Sequence, residues 1–150
     1  MVEINNLTTN PVDEDFFKKV AKKVLEGEKK NGVDISIALV GQGRIRELNK
    51  KYRSKNRVTD VLSFPDSKAL LDKFKVGPLQ KVQGLGEVVI CLREIKKNAK
   101  KYNSTFEKEL ARVLIHGILH LLGYDHEKGE AEAKKMREKE ENYLVRSLKT

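Results

Sequence analysis

All three histidines of the chain, His116, His120 and His126, fall within eleven residues. They lie in the stretch Leu114-Ile115-His116-Gly117-Ile118-Leu119-His120-Leu121-Leu122-Gly123-Tyr124-Asp125-His126. On a helix, residues i and i+4 stand one above the other, so His116 and His120 can direct two imidazoles at one point. Gly123 reads as a helix stop, and the turn a glycine permits can carry His126 back toward the same point. The rest of this helix is leucine, isoleucine and valine, where two imidazoles without partners would be unfavourable to bury. A metal ion supplies the partner. Three imidazoles at H-x3-H-x5-H suit one zinc ion with a position left open for water, an arrangement more often catalytic than structural. Asp125 has two readings: a carboxylate that orients an imidazole, or an ordinary turn residue.

The residue after the first histidine narrows the chemistry. Zinc peptidases of the H-E-x-x-H type carry their general base there, and this chain has Gly117. Glycine can neither take a proton from water nor steer it, which argues against peptide hydrolysis. Phosphodiester cleavage asks less of such a base, because a metal can both activate water and offset charge on phosphoryl oxygens. It also calls for a cation on the non-bridging oxygens, and the planar fork of arginine suits that geometry.

Composition supplies candidates. The 150 residues include 31 Lys and Arg against 22 Asp and Glu, a net charge of +9. Between Arg44 and Arg57 there are seven basic residues and one acidic, +6 in 14 residues, or two-thirds of the whole excess. A concentrated basic segment favours a polyanionic partner, nucleic acid first. Lys51, Lys55 and Arg57 are candidate nucleic-acid-backbone contacts, with solvated surface charge as the other reading of Lys55 and Arg57. Tyr52 is the one aromatic residue in the block, so little base stacking and weak sequence preference are expected. The single cysteine, Cys91, cannot form an internal disulfide, which fits a reducing compartment. The opening residues lack the features of a signal peptide, and no apolar run is long enough to span a membrane. A cytoplasmic protein without membrane contact is expected.

The elements that position these residues can be read from periodicity. Strands are expected at Val2–Asn5, Val33–Val40, Val58–Phe64 and Gly86–Cys91. Helices are expected from an Asp13 cap to Lys30, over Arg44–Tyr52 and Leu92–Tyr102, and over Glu127–Leu148. Ser104-Thr105-Phe106-Glu107 reads as a capping box opening the histidine helix, which runs to about Leu122 as the central buried helix. Asp66–Gly84 is irregular, a long loop with a helical turn at Ala69–Phe74. No repeat or linker divides the chain, so residues 1–150 form one α+β domain, with a small sheet and several helices on one core.

The segment from His116 to His126 resembles the H-G-x-L-H-L-x-G-Y-D-H signature of the bacterial YbeY family. Leu48-Asn49-Lys50-Lys51-Tyr52-Arg53 and Thr59-Asp60-Val61-Leu62-Ser63-Phe64-Pro65 are similar to that family's L-N-x-x-Y-R and T-D-V-L-S-F-P stretches. Gly86-Glu87-Val88-Val89-Ile90 is similar to its G-D-I-x-I strand, with glutamate for aspartate. The resemblance implies a single-strand-specific, metal-dependent endoribonuclease that matures ribosomal RNA, notably the 3′ end of the small-subunit RNA, and serves ribosome quality control. It implies one Zn2+ on His116, His120 and His126, and a catalytic role for Arg53. It also implies a zincin-like fold whose histidine helix lies against a mixed sheet of about four strands, and partners in the small ribosomal subunit and its assembly factors. Two other functions stay open on the residues alone: another zinc-dependent hydrolase, acting on peptides or small molecules, and a non-catalytic zinc-stabilised RNA- or ribosome-binding module.

Overall fold

The computed structural model describes residues 1–65 and 84–148. The helical turn expected at Ala69–Phe74, and with it nearly all of the expected 66–84 loop, lies outside the described residues. Strand β1 (Val2–Asn6) leads to helix α1 (Glu14–Gly27), which Asp13 caps by accepting the Phe16 N–H at 3.3 Å. The helix stops short of Lys30 because Lys29 turns to a φ of 59° and the Lys30 N–H reaches back to the Leu25 carbonyl at 2.7 Å. Strand β2 (Ile35–Leu39), helix α2 (Gln42–Arg53), and strands β3 (Val61–Phe64) and β4 (Gly86–Ile90) follow. Helix α3 (Leu92–Lys101), helix α4 (Phe106–Leu121), a 3-10 turn (His126–Lys128) and helix α5 (Glu130–Leu148) complete the described elements.

The strand order is β1-β2-β4-β3, with β1, β2 and β4 parallel and β3 antiparallel on β4. Among the described residues, this four-stranded mixed sheet with five helices is the α+β arrangement that the sequence leads one to expect. On one face, Ile35, Ile37, Leu39, Val88 and Ile90 pack with Phe17, Val20 and Val24 of α1 and with Leu114, Ile115 and Ile118 of α4. On the other, Ala38, Leu62, Phe64 and Val89 pack with Ile45 and Leu48 of α2. Burial of each such aliphatic side chain is worth about 1.5–3 kcal/mol, so the two cores hold α4 and α2 firmly on opposite faces. Strand β2 is buried along its whole length, not half-exposed at its start as its alternation suggests, because the hydroxyl of Ser36 faces Glu87 instead of water.

The start of α4 falls one residue later than the capping box predicts. Thr105 is the cap, its side chain accepting the Lys108 N–H at 3.1 Å. Ser104 is already engaged in closing α3: Asn103 adopts a φ of 53° and the Ser104 N–H bonds to the Ala99 carbonyl at 2.8 Å. Helix α4 then packs against α1, α3, α5, β3 and β4, the central position that its apolar composition anticipates.

Candidate metal centre

Helix α4 carries His116 and His120 one turn apart, and their rings meet edge to face with centroids 4.6 Å apart. The helix ends in a Schellman closure. Gly123 takes a φ of 102°, its N–H bonds to the His120 carbonyl at 3.0 Å, and the Tyr124 N–H bonds to the Leu119 carbonyl at 3.1 Å. The chain thereby reverses, and the 3-10 turn sets the His126 ring 5.5 Å from that of His116 and 5.2 Å from that of His120, centroid to centroid. One ring nitrogen from each histidine lies within 4.8 Å of the others. A tetrahedral ion with metal–nitrogen distances near 2.0–2.1 Å requires ligand nitrogens roughly 3.4 Å apart. The Nε2 atoms of His116 and His120 are 3.0 Å apart. The donor set therefore fits one small cation.

The surroundings of His120 favour its neutral imidazole, the form that binds metal. Burial lowers the pKa of His120, and the neighbouring His116 and His126 lower it further, with Arg53 contributing in the same direction and Asp125 opposing. His116 Nδ1 is hydrogen-bonded to the carboxylate of Glu140, which reaches across from α5. The Asp125 carboxylate accepts the Glu127 N–H at 2.9 Å and so caps the 3-10 turn, while its charge also acts on His120.

Arg53, the last residue of α2, stands at the edge of the sheet. Its Nη2 donates to the Ser63 carbonyl of β3 at 3.0 Å, and the Ser63 hydroxyl donates to the Gly117 carbonyl of α4 at 2.9 Å. The arginine and the histidine helix are thus two hydrogen bonds apart. Lys51 lies in the last turn of α2, and Lys55 and Arg57 lie in the turn that follows; all three residues are exposed. That turn is folded onto the helix: Asn49 Nδ2 donates to the Arg57 carbonyl at 3.0 Å, and Arg46 Nε to Asn56 Oδ1 at 2.9 Å. The structure brings Arg53 toward the histidines and leaves Lys51, Lys55 and Arg57 on the neighbouring surface.

Gly117 has a packing reason. A Cβ there would stand 2.7 Å from Val88 Cγ1 and 3.3 Å from both Ser63 Oγ and Val61 Cγ2. The position faces the sheet, so a peptidase-type glutamate at 117 would collide with Val88 and Val61.

A family model described as endoribonuclease YbeY matches residues 3–147. The chain belongs to the YbeY family. YbeY relatives with the name endoribonuclease include one from Sulfurihydrogenibium sp., 42% identical over 125 residues that span 83% of this chain and 77% of the relative. One from Aquifex aeolicus is 40% identical over 142 residues, 95% of this chain and 88% of the relative. The solution structure of a Thermotoga maritima protein superposes with a TM-score of 0.64 at 32% identity, covering 98% of this chain and 89% of that one.

Three contributors lie outside the sequence-derived candidates. Ser63 reads as an ordinary strand residue until its two bonds are seen. Glu28, at the end of α1, accepts from Tyr124 at 2.6 Å, from Lys139 at 2.9 Å and from Tyr143, tying the turn before His126 to α1 and α5. Glu140 is distant in sequence but carries a signal. It falls on the buried stripe of α5 formed by Met136, Tyr143, Leu144 and Ser147, where a carboxylate needs a partner.

Proposed function

We propose that this chain is a zinc-dependent endoribonuclease that cuts single-stranded RNA and acts in ribosomal RNA maturation, at the 3′ end of the small-subunit RNA, and in ribosome quality control. The observation that carries the reading is the convergence of three imidazole nitrogens beside an arginine tethered to the same helix, in a family whose members are named endoribonuclease. His116, His120 and His126 would hold the ion, with Asp125 assisting His120 through its charge. Zinc at such a site supplies Lewis acidity toward a phosphoryl oxygen and toward the attacking hydroxyl. Arg53 is the catalytic cation. The Ser63 carbonyl engages one of its five N–H donors and tethers the fork, whose planar geometry suits non-bridging oxygens. Lys51, Lys55 and Arg57 guide the RNA backbone toward it.

The edge of β3 supports this substrate over a peptide. The Cys91 N–H bonds to the Asp60 carbonyl at 2.9 Å, so the alternation of an antiparallel ladder turns the backbone groups of Val61 and Ser63 outward. An extended peptide would pair with that outward Ser63 carbonyl, which already accepts from Arg53. The small ribosomal subunit and its assembly factors are the partners this reading implies, in the cytoplasm. Among the described residues no helix is long and apolar enough to cross a membrane.

The test compares the wild-type protein with His120→Ala and Arg53→Ala on a single-stranded ribosomal RNA fragment, on the same RNA as duplex, and on casein. Wild type should cut the single strand only, lose activity to a chelator with its fold retained, and recover it with Zn2+. Arg53→Ala should lower the rate by roughly 100-fold or more, as loss of a transition-state charge partner does. Equal cleavage by all three proteins would mean a contaminating nuclease. Cleavage of casein alone would replace the reading with a peptidase, and unfolding on chelation with no activity in the loaded form would replace it with a structural-zinc binding module.

A further inference from the structure

The histidine triad is built on α4 and its closing turn, yet one of its rings is gripped from a separate element. The Glu140 carboxylate on α5 accepts from His116 Nδ1, across 24 residues of sequence. Both side chains are mostly withdrawn from solvent, Glu140 20% exposed and His116 31%. A carboxylate can only accept, so the bond requires the proton on Nδ1. That leaves the lone pair on Nε2, the atom that faces His120 Nε2 at 3.0 Å. An unconstrained neutral histidine side chain favours the opposite tautomer, with its proton on Nε2, which would aim an N–H at the centre.

We infer that Glu140 is a positioning residue of the metal centre: it fixes the His116 ring and its tautomer so that Nε2 is ready to bind a cation before any ion arrives. This rests on the reading of the three histidines as a metal site. Glu140 itself is aimed at the far nitrogen of a ligand and not at the cation. The neighbouring residues of α5 reinforce the placement, since Lys139 and Tyr143 bond to Glu28, and Met136 and Leu144 are buried in the main core. The helix is therefore anchored on both sides of Glu140. Removing a carboxylate that orients a ligating histidine commonly weakens metal binding 10- to 100-fold.

The experiment measures Zn2+ affinity by competition with a chromophoric chelator for wild type, Glu140→Gln, Glu140→Ala and His120→Ala, and reads the His116 tautomer in the metal-free proteins by 15N NMR. The expected order of affinity is wild type, then Glu140→Gln, then Glu140→Ala, the last weaker by about 10- to 100-fold. Metal-free wild type should carry the proton on Nδ1 of His116, and Glu140→Ala should shift it toward Nε2, a change that a merely structural helix contact would not produce. Glutamine keeps an acceptor oxygen and the volume of the side chain, so the glutamine protein carries the test if the alanine protein fails to fold. Wild type that binds Zn2+ and loses it in His120→Ala, while both Glu140 variants bind within threefold of wild type, would overturn the positioning role and leave the metal site standing. Wild type that takes up no Zn2+ would overturn both.

Discussion

The Ser63 hydroxyl donates to the carbonyl of Gly117 at 2.9 Å, joining the edge of the sheet to the middle of the histidine helix. That carbonyl lies between His116 and His120, and the same serine receives Arg53 through its backbone. Ser63→Ala should therefore do two separable things. Loss of a buried hydroxyl hydrogen bond should cost about 1 kcal/mol in urea unfolding. The backbone bond to Arg53 survives the substitution, so RNA cleavage should fall by less than it does in Arg53→Ala. A Ser63→Ala protein as inactive as Arg53→Ala would show that the hydroxyl bond to Gly117 is as necessary to the rate as the arginine, and would overturn this separation.

Gly117→Ala should lower stability by about 1–3 kcal/mol, because the added carbon meets Val88 in a packed interface between helix and sheet. Gly117→Glu should be worse and should not confer peptidase activity, since the new carboxylate would be forced against Val61 and Val88. Chemical denaturation and a casein assay check both statements.

Glu87 sets an alkaline limit on stability. It is fully buried on β4, accepts from the Ser36 hydroxyl at 2.9 Å, and Ser36 in turn accepts from Asn5 at 3.2 Å. Burial raises its pKa to about 8 from an ordinary 4.5; the Ser36 bond opposes the rise and the charge of Glu3 adds to it. Between those two values the folded chain holds a proton that the unfolded chain has released. Stability should thus fall as pH climbs from about 5 to 8, and the loss should be complete above that. Glu87→Gln should flatten this part of the profile. The comparison is the difference in melting temperature between variant and wild type at pH 5 and at pH 9, which should favour the variant more at pH 9.

The Glu28 cluster should behave in the opposite sense. Burial raises the pKa of this carboxylate, but hydrogen bonds from Tyr124, Tyr143 and Lys139 outweigh it and hold the value below the ordinary one. Its contribution is present above the ordinary carboxylate range and is lost as pH falls through the lowered value. Glu28→Ala should cost about 2–3 kcal/mol at neutral pH, because it strands two tyrosine hydroxyls at a helix junction. It should also make the remaining stability less sensitive to acid, which thermal melts between pH 7 and pH 3 would register.

The parts legible in the sequence are those that local geometry determines. His116 and His120 are one helical turn apart, and Gly123 marks the reversal that returns His126, so the triad follows from spacing alone. Glu140 and Glu28 act across 24 and 96 residues, and only the packing of α5 against α4 and α1 brings them to His116 and Tyr124. A carboxylate in an otherwise buried stripe hints that a partner exists without saying which. Thr105 took the cap from Ser104 for a similar reason. Both can cap a helix, and the closure of α3, not the chemistry of the side chain, decides between them.

The bond from Arg53 to Ser63 also bears on how the protein behaves in concentrated solution. Among the described residues β3 is an outer strand, and a row of outward backbone groups on such a strand is a template for another molecule of the same kind. A charged guanidinium seated on one of those groups interrupts the template. Arg53→Ala would expose the Ser63 carbonyl and should be more prone to aggregate than its loss of one surface charge would suggest, which light scattering would register.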